Sequence, residues 1–145
     1  MAIDKVKDQS KWASASLCIY SDTVHPDAIS LALAVTPTHS HRKGQSVSRN
    51  STILRERSAW IFESDTALQQ NLSVHLESIL DFVKTNCDAL DTLSGACDVK
   101  LRCAFASTDG QGSAIFNSVL LHRLADSGLE LTIDLFPKDA GVEVA

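Results

Sequence analysis

The chain has 145 residues, 44% hydrophobic and 21% charged, with a formal net charge of −5. These proportions are those of an ordinary globular domain, and they exclude a collagen-like, coiled-coil or wholly disordered chain. A single domain over 1–145 is expected, long enough to bury about two-thirds of the surface that the unfolded chain exposes.

Residues 1–12 are polar and mixed and are expected to be flexible, as are 137–145. The start lacks the apolar core of a signal peptide, and no run approaches the roughly 18 apolar residues of a membrane span, so a cytoplasmic protein is expected. Ala15, Leu17 and Ile19 alternate with Ser16, Cys18 and Tyr20, which predicts a half-buried strand from Ser14 to Ser21. The turn DTVHPD follows, and Pro26 suits the first position of a helix to about Ala34. His25 stands at its cap, where an acidic or hydroxyl residue would cap better. Ile29, Leu31, Leu33 and Val35 alternate as in a strand, but the Pro-Asp start and the alanines favour helix. Pro37 ends it, and Thr38 to Asn50 reads as loop.

SAWIFES is the second predicted strand, apolar on both faces through Trp60, Phe62, Ala59 and Ile61, and so expected to be internal and covered on both sides. Leu68, Leu72, Leu76, Ile79, Leu80 and Val83 then repeat at helical spacing in a long helix capped by Asp65 or Thr66. A shorter helix runs from Asp88 to Leu93 and stops at Gly95. Val99, Leu101, Cys103 and Phe105 mark the third strand, TDGQG is a turn, and SAIF reads as a short returning strand. Asn117 caps a last helix that ends at Gly128, and Leu129 to Phe136 alternates as the final strand. The product is an α+β fold: a single sheet of about four to six strands with helices packed on it, two βαβ-like halves joined by a long central helix, a ferredoxin-like variant.

The segments SLCIYSD, HPDAISLAL, TPTHSHRKGQ, SAWIFES and LLHRLADSGLELTIDLF together resemble a bacterial family catalogued as a domain of unknown function, number 4279. The resemblance spans Ser14 to Phe136 and is carried most specifically by PTHSHRKG joined to a Trp-bearing strand. Its name implies no activity, so function has to come from the residues.

Between Arg42 and Arg57 lie Arg42, Lys43, Arg49, Arg55 and Arg57 against Glu56 alone, a local +4 that leaves −9 on the rest. An acidic body argues against duplex nucleic acid, while a basic loop can hold one anionic group. His39 and His41 would point the same way on a strand, but His25, His75 and His122 offer no third ligand at metal-site spacing, so no metal is assigned. There is no GxSxG elbow and no P-loop, so no catalytic residue and no cofactor are assigned, and an enzyme is disfavoured. Asp22 and Asp109 occupy comparable turns and with Trp60 form a candidate pocket, although turn aspartates more often bond their own backbone. Four cysteines without a CxxC pair read as reduced packing thiols.

The candidate binding residues are therefore His39, His41, Arg42 and Lys43, on an ordered surface loop from Thr36 to Gln45 that offers directed donors to an anionic group. The bland alternative has Thr38 and Ser40 bonding the turn and Arg42 paired with a neighbouring acid. The function expected is a non-catalytic binding module with a protein partner or anionic small ligand, in one version an immunity-type inhibitor. The alternative is a small-ligand-binding protein or enzyme using the His39, His41 and Arg42 loop.

Overall fold

A computed structural model of the chain describes residues 11–107 and 113–137. Nine elements follow in order: β1 (Lys11–Ser21), α1 (Pro26–Leu33), β2 (His39–His41), β3 (Ser58–Glu63), α2 (Leu72–Thr85), α3 (Cys87–Leu93), β4 (Asp98–Ser107), α4 (Ser118–Ser127) and β5 (Glu130–Pro137). The fold is α+β, one mixed sheet in the order β2-β3-β1-β4-β5 with four helices packed on it.

The alternation in β1 decides the layering. Ala13, Ala15, Leu17 and Ile19 join the helices in the core, while Ser14, Ser16, Cys18 and Tyr20 take the opposite face by the pleat. β1 pairs antiparallel with β3, Ile19 opposite Trp60, and antiparallel with β4, Leu17 opposite Leu101. β5 runs parallel to β4, Leu101 opposite Leu131, after a crossover through α4. The two halves share the order strand, helix, strand and its sense, since β2 runs parallel to β1 as β5 does to β4, but in the first half β3 inserts antiparallel between the two strands.

α1 settles the ambiguity of its apolar residues. Ile29 and Leu33, four apart, are buried, while Leu31 between them is 84% exposed, which is helical and not strand periodicity. His25 serves as its cap after all, its Nδ1 accepting the Asp27 amide at 3.0 Å. Trp60 on β3 is fully buried, and its indole N–H donates to Ser30 Oγ at 2.9 Å, which ties α1 to the sheet.

Three expectations are corrected. α2 starts at Leu72, not at Asp65 or Thr66, because the preceding segment stays alongside β1: the Ser64 amide donates to the Ala15 carbonyl (2.8 Å) and the Ala13 amide to the Leu68 carbonyl (2.9 Å). Leu68 is consequently 53% exposed instead of contributing to the helix stripe. Residues 113–117, holding SAIF, form no strand and lead into α4. β3 is internal but covered by helices on one side only: Trp60 and Phe62 face them, whereas Ile61 lies half-buried on the other face. The short helix before Gly95, the Asn117 cap with its oxygen accepting the Leu120 amide at 2.9 Å, and Gly128 at φ 69° all stand as expected. The TDGQG turn lies outside the described residues.

Candidate functional site

The HSHRKG stretch is not simply a loop. His39–His41 is a three-residue edge strand, with His39 opposite Ile61, Ser40 opposite Trp60 and His41 opposite Ala59. The Thr38 amide anchors it by donating to the Ile61 carbonyl (2.8 Å), and Thr38 Oγ1 accepts the Glu63 amide (2.9 Å). A strand's two-residue period puts both imidazoles on the face away from the helices. His39 Nε2 lies 3.3 Å from Glu63 Oε2. Burial pushes the pKa of His41 down, the Arg55 guanidinium adds to that, and a backbone hydrogen bond at Arg57 opposes it.

Beyond β2 the chain makes a hairpin excursion. The Arg42 amide donates to Gln45 Oε1 (3.0 Å) and the Lys43 amide to Ser58 Oγ (2.9 Å). Gly44, at φ 85°, turns the chain so that its amide meets the Arg55 carbonyl (2.8 Å). The Arg55 amide returns to the Gln45 carbonyl (2.7 Å), the Val47 amide to the Ile53 carbonyl (2.9 Å), and Ser46 bridges Leu54. The backbone from 42 to 55 is therefore held mainly by its own hydrogen bonds, while its side chains other than the half-buried Ser51 and Arg55 are exposed.

Charge pairing separates this excursion from the body. Arg102 contacts Asp134 at 2.6 Å, Arg123 contacts Asp81 at 2.6 Å, Lys100 lies near Asp98 and Glu130, and Arg57 lies between Asp22 and Asp98. Among the described residues, Arg42, Lys43, Arg49 and Arg55 have no acid within ion-pair distance. Arg55 instead braces the hairpin, its guanidinium donating to the Val47 carbonyl at 3.4 Å. The bland alternative is not met: Thr38 bonds β3 and not the turn, and Arg42 finds no acid among the described residues.

The other candidates fall apart in space. Trp60 belongs to the core and offers no surface to a ligand. Asp22 is exposed at the end of β1, 3.7 Å from Arg57, and Asp109 lies outside the described residues. No group of three metal-ligating side chains exists among the described residues. Cys18, Cys97 and Cys103 are buried free thiols as expected, whereas Cys87 is exposed, its thiol 3.8 Å from Asp88 Oδ1.

Two features escaped sequence reasoning. One is a cavity of about 360 Å³ on the helix-free face of the sheet, floored by Ser14, Ser16 and Ala104 between Glu63 and Arg102. Alternation placed these residues on one face, but only strand order brings Glu63 and Arg102 to either side of β1. Both charges are already engaged, by His39 and Asp134. The other is Ser64 Oγ at 2.6 Å from Nδ1 of the fully buried His75. The Ser64 oxygen also receives the Ala15 amide at 3.4 Å, so this pair fastens α2 to β1 and does not border the cavity. No motif announces it, since the two residues meet only because the chain between them turns.

The family described as Domain of unknown function (DUF4279) matches residues 9–138, most of the chain. No curated protein and no solved structure matches it. No helix among the described residues is long and apolar enough to cross a membrane.

Proposed function

The chain belongs to the DUF4279 family, a domain of unknown function, and we propose that it is a non-catalytic binding module of the bacterial cytoplasm that recognises an anionic group on a partner through His39, His41, Arg42 and Lys43. The observation that carries this reading is the contrast in pairing: the body's cations are mostly held by acids, whereas Arg42 and Lys43 sit exposed on a hydrogen-bonded turn without one. Arranging the backbone in advance lowers the ordering entropy that binding costs. His39 and His41 add imidazole donors on the same side of β2. An immunity-type inhibitor is one form that such a module takes, its acidic body steering a basic toxin onto it.

The test compares the immobilised chain with an Arg42→Ala, Lys43→Ala double variant in bacterial lysate at low and moderate salt. The expected result is a partner retained by the wild type and depleted on the variant, most clearly at low salt. The melting temperatures should agree closely, because exposed charges contribute about 0–1 kcal/mol each. Equal retention by both proteins, or no partner surviving moderate salt, would sink the reading.

A further inference from the structure

The turn of the excursion carries more than charge. Val47 is 41% exposed, Ile53 67% and Leu54 55%, three aliphatic side chains beside Arg49 and within the same hydrogen-bonded hairpin as Arg42 and Lys43. Val47 and Ile53 are joined across the hairpin by their backbones, so their side chains share a face, while Leu54, opposite Ser46 one step along, stands on the other face. Single exposed aliphatics need no explanation, but exposed aliphatics on both faces of one braced projection that also carries cations without acids make that projection amphipathic. Burying them here would require a surface from outside, because the core cluster includes none of the three.

We propose that residues 42–57 form a docking finger for a protein partner whose contacting segment combines apolar side chains with carboxylates. The inference rests on the binding reading above and gives that partner its chemistry. Charge complementarity selects the partner's carboxylates: Arg42, Lys43 and Arg49 lie on the same hairpin as the aliphatics and have no acid of their own. The aliphatics supply the desolvated centre in which most binding energy of an interface concentrates. An anionic membrane is disfavoured by the remainder of the molecule, since the −9 outside the finger would be repelled by an extended negative surface, while a confined acidic segment meets only the finger.

The experiment selects displayed random peptides against the full chain, then measures the enriched peptides against two variants: Val47→Ser, Ile53→Ser, Leu54→Ser and, separately, Arg42→Ala, Lys43→Ala, Arg49→Ala. All six positions are exposed, so circular dichroism should show both variants folded. The expected result is enrichment of peptides combining Asp or Glu with Leu, Ile or Phe, each variant weakening them by about tenfold or more. Peptides without acids, or no enrichment at all, overturn the proposal. So does binding to vesicles of phosphatidylcholine and phosphatidylglycerol in place of peptides, or self-association of the chain that the aliphatic variant abolishes. If acidic peptides respond to the cation variant and ignore the aliphatic one, the finger is wrong while the binding reading stands; if they ignore both, the two fall together.

Discussion

His75 shows how much one buried side chain can report. It is fully buried and hydrogen-bonded to Ser64 Oγ, and burial pushes its pKa below the ordinary 6.5, with a backbone bond at Ala67 opposing. The unfolded chain takes up a proton near 6.5 and the folded chain only at lower pH, so between those values unfolding binds a proton and acid favours it. His41 shifts in the same direction. The stability that depends on these neutral imidazoles is therefore complete above about pH 6.5 and is lost as pH falls through that value toward the folded pKa. Denaturant titrations from about pH 7.5 down to about pH 5.5 should show the midpoint falling, with a shallower fall for His75→Gln; an equal slope in the variant would mean that other groups carry the effect. The thiols give a second readout at this scale. Cys87 is exposed, whereas burial raises the pKa of Cys18 and Cys97 and pushes Cys103 up to about 12. A thiol reagent should label Cys87 in the native protein and the other three only on unfolding; fast labelling at two or more sites would contradict the packing.

Among the elements, α4 has the most localised supports. Asn117 caps its first turn and Gly128, at φ 69°, ends it in a backbone conformation that L side chains rarely adopt, although space for a Cβ is open there. Asn117→Ala should cost about 1 kcal/mol and Gly128→Ala a similar amount, both measured by thermal unfolding. These ends were legible in the sequence because a cap is a local event. So were β1 and β4, whose alternation reflects one face against helices. The start of α2 was not legible: Leu68 has the right spacing for the stripe, but hydrogen bonds to β1 override local propensity. β2 was hidden for a similar reason, since three residues reading His-Ser-His acquire strand geometry only from pairing with β3. The candidate binding residues were identified from residue type, and the hairpin that holds them apart from the body's acids follows from contacts between positions such as Gln45 and Arg55 that no spacing rule connects.

For the molecule as a whole, the charges and the strand order act on different occasions. A finger of +4 on a body of −9 makes the protein electrically lopsided, so encounter with a charged partner should be oriented before contact and its rate should fall steeply with added salt. Stopped-flow association across a salt series checks this, and a flat response would mean that the charges do not steer. The strand order governs how the structure arises. β1 is the middle of the sheet, yet its longer ladder is with β4, from Lys11 opposite Ser107 to Tyr20 opposite Asp98. A ribosome releases β1 first and β4 only after α1, β2, β3, α2 and α3 have followed, so during synthesis one edge of the central strand stays open while its partner is still unmade. For that interval β3 alone can flank β1, and the nascent chain has a half-sheet with an unpaired backbone row. Synthesis therefore leaves this fold exposed to wrong strand partners for longer than a hairpin-built sheet, and the polar Ser14 and Ser16 on that strand's helix-free face limit how adhesive the waiting surface is.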